Sequence, residues 1–282
     1  MSQIFILNEK ANNEKNLFLQ DKLAFSIKDI AGVIEKTTSL EELKDVLAFY
    51  KNRADVIYAV GGDGTVNTIL NGMFGGSASL GIIPVGTGND FYKKLNEYNS
   101  EVLDVNVMKV NEQLGINSFS IGLDAEIGIN ANLMKRLRIP SHLVYITSMF
   151  YTFARYQNKE VTLNDGLKSI TLLALCNGTY YGGGFAISPE ADITEPSLCV
   201  YSLNGVSKIE QVKFLLQLLG GRHQENPNLD FFKTENGIHI SSIYPLIGQL
   251  DGELMEDTCF DVTPSVGRIK VVNNKTLIKK LR

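Results

Sequence analysis

The chain has 282 residues, 44% of them hydrophobic and 21% charged, with a formal net charge of −4. A sizeable core is within reach, and general nucleic-acid binding, which needs an excess of Lys and Arg, is not expected. Cys176, Cys199 and Cys259 are odd in number, widely spaced and without a C-x-x-C pair, so neither a zinc site nor a disulfide framework is suggested and a reducing cytoplasm fits. No apolar run approaches the ~20 residues that span a bilayer and no secretory leader is visible, so the expectation is a soluble, cytoplasmic protein whose membrane contact is peripheral.

Ile4-Phe5-Ile6-Leu7 opens as a strand. Ser39 with Glu42 three residues on spells a capping box, which predicts a helix carrying Leu43, Val46, Leu47 and Tyr50. Asp55 to Val60 is the short apolar, β-branched run of a buried parallel strand. It feeds Gly61-Gly62-Asp63-Gly64-Thr65-Val66-Asn67, after which Val66, Ile69, Leu70 and Met73 mark one apolar helix face. A glycine-rich turn there lets backbone N–H groups approach a polyphosphate with no Cβ in the way, and the helix N-terminus adds a favourable dipole. A plain tight turn would not need Asp63 and Thr65 as well. The loop is no P-loop, since G-x-x-x-x-G-K-[ST] is absent, and no dinucleotide fingerprint, since Asn67 stands where the last glycine belongs.

Leu80 to Val85 reads as another buried strand, followed by a second glycine loop, Gly86-Thr87-Gly88-Asn89-Asp90. Gly86 and Gly88 let backbone approach a ligand, Thr87 can donate to a phosphate or sugar, and Asp90 reads equally as a helix N-cap or an active-site carboxylate. Neighbouring strand ends in a parallel sheet would set both loops at one crevice. Alternating strands and helices predict a parallel three-layer α/β unit over roughly the first hundred residues.

After about Val105 the pattern changes. Asn117 to Ile129, Ser169 to Cys176, Leu198 to Leu203, Ile238 to Ile243, Leu246 to Leu250 and Gly267 to Val272 read as strands. Their intervals are mostly too short for helical crossovers, so this half should be antiparallel. His142 to Tyr156 and Ser207 to Leu219 read as helices, the second opened by a Ser207/Glu210 capping box and stopped by Gly220. No linker separates the halves, which predicts close packing and an active site in the cleft. Gly122-Leu123-Asp124-Ala125 and Leu250-Asp251-Gly252-Glu253 each set a carboxylate beside glycine. Asp251-Gly252 is also an ordinary hairpin pair, yet a phosphoryl-transfer enzyme needs a base for its acceptor hydroxyl. If the segment is extended, Glu253 shares a face with Asp251. Gly182-Gly183-Gly184 fits either close approach to a ligand or a β-bulge or corner.

GGDGT at Gly61 to Thr65, GTGND at Gly86 to Asp90, YYGGGF from Tyr180 with Pro189 and Ala191 beyond it, and LDGE at Leu250 to Glu253 cover nearly the whole chain in order. Together they resemble the bacterial diacylglycerol kinase family of soluble lipid kinases. The resemblance implies an α/β nucleotide-binding domain with a parallel sheet over residues 1–105, and a β-rich antiparallel lipid-substrate domain over 106–266. A tail, 267–282, is then expected to return to the first domain. It implies ATP and Mg²⁺ as cofactors and γ-phosphoryl transfer to a lipid hydroxyl, most naturally diacylglycerol to phosphatidic acid. By the same resemblance Gly61, Gly62, Asp63, Gly64, Thr65, Asn67, Gly86, Thr87 and Asp90 surround the nucleotide. Asp63, Asp90 and Asp124 form an acidic metal and phosphate network, with Asp63 and Asp124 as metal ligands, and Asp251 is the general base assisted by Glu253.

The chain departs from the family where Asn8-Glu9 replaces the usual Asn-Pro. Glu195-Pro196-Ser197-Leu198-Cys199 replaces an Asp-Gly...Leu-Asp element linked to a structural Mg²⁺, and cysteine is a poor ligand for a hard cation. Lys135, Arg136 and Arg138 read as a contact for anionic headgroups or as a solvated helix face. The partners implied are ATP, a lipid alcohol, a membrane surface and, through an edge strand, a second copy of the chain. Competing readings are an NAD kinase-like or other small-alcohol kinase, against which GTGND and LDGE count, and a non-catalytic nucleotide- or lipid-binding module.

Overall fold

A computed structural model describes residues 2–8, 32–86, 88–137, 141–164 and 166–281. The chain divides into two compact units, residues 1–106 with 267–282, and residues 107–266. In the first unit β1 (Gln3–Asn8) lies between β2 (Gly32–Thr37) and β3 (Val56–Gly61), β4 (Ser79–Pro84) follows β3, and every pairing is parallel. The strand order interleaves with α1 (Leu40–Tyr50), α2 (Asp63–Met73) and α3 (Asp90–Glu97). Ile4 to Leu7 and Val56 to Val60 are buried throughout, as strands covered on both faces must be. Gly81 is required by packing: a Cβ there would lie 2.3 Å from the Tyr58 ring, which itself stacks on Phe5.

The Ser39 cap forms as expected, its hydroxyl accepting from the amide of Glu42. The return bond differs by one residue, because the Glu42 carboxylate accepts from Thr38 rather than from the amide of Ser39. The chain comes back to this unit through the end of β15 (Glu253–Val272), whose Val271 and Val272 pair parallel with Leu80 and Gly81. A closing helix is absent from the sequence reading; it spans Lys275–Leu281 and packs Leu277 against the core of Phe5, Tyr58 and Ile83.

The second unit is an antiparallel sheet. β7 (Ser118–Gly122) pairs with β9 (Gly166–Cys176), β9 with β12 (Leu198–Asn204), and β12 with β13 (Leu229–Thr234). On its other side β7 pairs with β14 (Ile238–Leu250), which forms a hairpin with β15. Phe119, Ile121, Leu173, Leu175, Ile240 and Phe260 anchor one apolar core on this sheet.

Three expectations are corrected here. Asn117 to Ile129 is not one strand: β7 stops at Gly122, with φ +106, and a helix runs over Leu123–Arg136. The stop has a packing reason, since a Cβ at Gly122 would sit 2.6 Å from the carbonyl of Thr171. Leu123 and Ile127, one helical turn apart, join Met149 and Phe153 of the helix Ser141–Arg155 in a single cluster. A short apolar run cannot be assigned to strand or helix by periodicity alone. Ile238 to Ile243 and Leu246 to Leu250 are one strand whose register shifts between Ser241 and Leu246, where Pro245 has no N–H to give the ladder. Gly267 to Val272 is the end of the long β15 rather than a separate strand. The helix Lys208–Leu219 carries the expected Ser207 cap and ends on Gly220. Among the described residues no helix is long and apolar enough to cross a membrane.

Candidate active site

In the first unit β3 ends on Gly61 and α2 begins at Asp63, so Asp63, Gly64 and Thr65 form the first helical turn rather than a preceding loop. Gly62 is the N-cap residue and offers no side-chain cap. Val66 is the first residue whose amide reaches back to the carbonyl of Gly62, so by helix geometry the amides of Gly64 and Thr65 make no intrahelical bond. Such a terminus attracts anions. A Cβ on Gly61 would meet Thr65 Oγ1 at 2.3 Å, and one on Gly86 would meet Cα of Gly62 at 2.4 Å. The two glycine loops therefore pack backbone against backbone, fastened by the Val85 amide donating to the Gly61 carbonyl at 3.1 Å.

Asp63 links the loops further. Its carboxylate accepts from the amides of Asp90 and Phe91 at 3.1 and 3.2 Å and so caps α3 from a distant part of the chain. Asp90 is the first helical residue and not the N-cap; that position belongs to Asn89, in the left-handed region at φ 53, whose side chain closes onto both backbone groups of Gly86. The Asp90 carboxylate is buried and accepts from Lys93 Nζ at 3.0 Å. Asn67 is buried in α2 and its Oδ1 accepts from Asn71. Thr87 lies outside the described residues, as does Arg138, and the side chains of Lys135 and Arg136 are likewise outside them.

In the second unit Asp124 stands in the first turn of the helix that follows Gly122. It borders a cavity of about 40 Å³ whose walls include Leu123, Ile127, Phe153, Tyr181, Phe185 and Phe214. Asp124 is 9% exposed, and neither of its oxygens completes a hydrogen bond among the described residues. Burial pushes its pKa up to about 6, although Ser120, the amide of Ala125 and the Tyr181 hydroxyl are near enough to pull part of the way back. The glycine triplet serves this wall. Gly182, Gly183 and Gly184 have φ of 65, 88 and 114, values that favour glycine, and they turn the chain between the paired segments Tyr180–Tyr181 and Phe185–Ala186. A Cβ on Gly183 would touch nothing, so its glycine is there for conformation and not for close approach.

Asp251 is arranged differently. With Gly252 it makes the two-residue turn of the β14–β15 hairpin, at φ 49 and 92. It is 4% exposed, and its carboxylate accepts from the amides of Ile116, Asn117 and Ser118 at 2.8, 2.9 and 2.9 Å. The segment is therefore not extended, Glu253 does not share a strand face with Asp251 through it, and Glu253 is exposed. Asp251 fixes the entry to β7, the strand that ends at Gly122 and delivers Asp124. Cys199 is buried in an apolar cluster with Cys176 and Tyr201, and burial pushes its thiol pKa up. A protonated thiol in that setting does not suit a hard cation. Sequence reading misses the cavity walls, because Phe153 and Phe214 are distant in the chain and carry no local motif.

Residues 2–115 match the family model described as the diacylglycerol kinase catalytic domain, and residues 117–273 match that of the YegS C-terminal NAD kinase beta sandwich-like domain. A protein of Staphylococcus carnosus (strain TM300) named "Putative lipid kinase" is 28% identical over 244 residues, 77% of this chain and 76% of that protein. A similarly named protein of Staphylococcus haemolyticus (strain JCSC1435) is 31% identical over 151 residues, 48% of this chain and 49% of its own length. Crystal structures of diacylglycerol kinases from Bacillus anthracis str. Sterne, one described as "putative", share the fold. Their TM-scores are 0.73 and 0.68 at 21% and 20% identity, with 98% of each chain covered.

Proposed function

The chain belongs to the diacylglycerol kinase family of lipid kinases, and on that premise we propose that it transfers the γ-phosphoryl group of ATP to a lipid hydroxyl, with diacylglycerol as the acceptor and phosphatidic acid as the product. The observation that carries this reading is Asp124, a buried carboxylate at the edge of an apolar cavity; its oxygens complete no hydrogen bond among the described residues, with Ser120 and Tyr181 close by. An apolar wall suits the hydrocarbon of a lipid, and a lone carboxylate beside it suits the one hydroxyl such a molecule offers. With its pKa raised to about 6, Asp124 is ionised at neutral pH and is a stronger base than an ordinary carboxylate. In this reading it accepts the hydroxyl proton as the oxygen bonds to phosphorus. Asp251, whose oxygens already take three amide protons, acts as a positioning residue for the segment leading to Asp124.

On the first unit the amides at the start of α2, with Gly62 and Gly86 admitting close approach, receive the phosphates. A hard dication prefers carboxylate oxygens, and an ionised carboxylate has about four lone-pair sites. Asp63, which ties the two glycine loops together through the amides of Asp90 and Phe91, and Asp90 would hold Mg²⁺ in this reading. When bound, the ion neutralises charge on the transferring phosphate. The substrate resides in a bilayer, so contact with the membrane is peripheral and reversible in this reading.

The test is turnover of ATP by the purified protein with a panel of acceptors: diacylglycerol, monoacylglycerol and a sphingoid base in detergent micelles, and NAD in solution. Labelled phosphate in the lipid fraction with diacylglycerol preferred is the expected result. Phosphorylation of NAD alone, or of nothing, would overturn the reading.

A further inference from the structure

The hairpin of β14 and β15 has an apolar side and a polar side, and the polar side carries an unusual set of residues. Ile238, Ile240, Phe260 and Val262 point into the core. By the two-residue period of a strand, His239, Cys259 and Asp261 fall on the opposite face. The register puts His239 directly across from Asp261, and Ser241 across from Cys259. The ligand-type atoms of His239, Cys259 and Asp261 all lie within 4.8 Å of one another, the only such group among the described residues. His239 Nδ1 is 2.7 Å from Asp261 Oδ1, and Cys259 Sγ is 3.7 Å from either ring nitrogen.

We propose that His239, Cys259 and Asp261 form a site for a zinc-like divalent cation, separate from any ion that accompanies the nucleotide. An imidazole, a thiolate and a carboxylate are the mixed donors that Zn²⁺ accepts and Mg²⁺ does not. Bonds of about 2.3 Å to sulfur and about 2.0 Å to nitrogen in a tetrahedron place those two atoms roughly 3.5 Å apart, close to the distance found. The backbone under the site is held before any metal arrives. Asn111 Oδ1 accepts from the amide of Asp261 at 2.8 Å, and its Nδ2 donates to the carbonyl of Cys259 at 3.2 Å. Asp257 Oδ1 accepts from the amide of Cys259 at 3.3 Å.

Beside the site an open groove of about 460 Å³ is lined by Glu112, Asp257, Cys259 and Asp261, with Lys109 at its edge paired to Glu112 at 3.9 Å. The groove leaves room for water in the fourth coordination position, and its carboxylates favour a cation. On binding, the metal takes Nδ1 and Oδ1, the ring proton that faced Asp261 passes to Nε2, and the thiol proton leaves to solvent as the metal–sulfur bond forms. Chain spacing alone suggests no zinc site because the ligands come from two strands and only their pairing register collects them.

The experiment is titration of the metal-free, reduced full chain with Zn²⁺ against a chromophoric chelator, together with the absorption spectrum of the Co²⁺ form. Submicromolar binding of one Zn²⁺ per chain is expected, undisplaced by excess Mg²⁺, with a thiolate-to-cobalt charge-transfer band. Cys259→Ser should abolish the band, and His239→Ala should weaken Zn²⁺ binding at least about tenfold. Both side chains are off the core, and the Co²⁺ spectrum of the unaltered chain tests the site without any substitution. Absence of the band in that chain, or unchanged Zn²⁺ affinity in both variants, would overturn the assignment.

Discussion

Asp124 and Asp251 are both buried carboxylates of the second unit, 9% and 4% exposed, and the chain treats them in opposite ways. Asp251 sits in a turn where three amides converge on it. Asp124 sits at the start of a helix beside an apolar cavity with no completed hydrogen bond among the described residues. Burial of a carboxylate is costly, and bonds to donors offset that cost while an apolar setting does not. A carboxylate with its donors in place stabilises a fold. One left without them is tolerated only where something else is gained, and reactivity toward a proton is such a gain.

The largest effect expected from this contrast is on turnover. Asp124→Asn should lower kcat by roughly 10²–10⁴-fold, the usual worth of a general base, with ATP affinity retained and no loss of stability. Asp251→Ala should act first on stability, because three buried amides lose their acceptor; urea unfolding should report a loss of about 3 kcal/mol. A stable Asp251→Ala chain with kcat down by the base-sized factor, beside an Asp124→Asn chain of normal rate, would exchange the two roles.

The glycine loops were legible for a reason that applies only to them. The motif residues are consecutive, and the strand before them and the helix after them have clear periods, so Gly61, Gly62, Gly64 and Gly86 need no tertiary information to be singled out. Their closeness is now measurable, since a Cβ at Gly86 would lie 2.4 Å from Cα of Gly62. Gly86→Ala should separate the loops and weaken ATP binding by about tenfold or more, read by calorimetry; unchanged affinity would remove these loops from the nucleotide site.

The second unit was legible only in outline. Strand alternation announced an antiparallel sheet, but the helix after Gly122 was hidden in an apolar run that reads either way. LDGE was visible, yet no motif announces that Asp251 spends its oxygens on residues 116–118, more than a hundred positions earlier. The cavity is built from residues that meet only in three dimensions. His239 and Asp261 likewise become neighbours through strand register, which the sequence pattern does not specify here.

The smallest predicted effect bears on the same contrast through pH. Folding raises the pKa of Asp124 from 3.8 to about 6, so the folded chain holds a proton that the unfolded chain releases sooner. The stability associated with that proton is fully present below the unfolded pKa and is lost as pH rises through the folded one. Replacing Asp124 with Asn removes this titration. The advantage of Asp124→Asn over the unaltered chain should therefore grow with pH, by about 1 kcal/mol between about pH 5 and about pH 7, and level off above that range. Parallel urea titrations of both chains across the range give the difference directly. A difference that stays flat would mean that Asp124 is satisfied in solution as Asp251 is in the fold, and the argument for its basicity would fail with it.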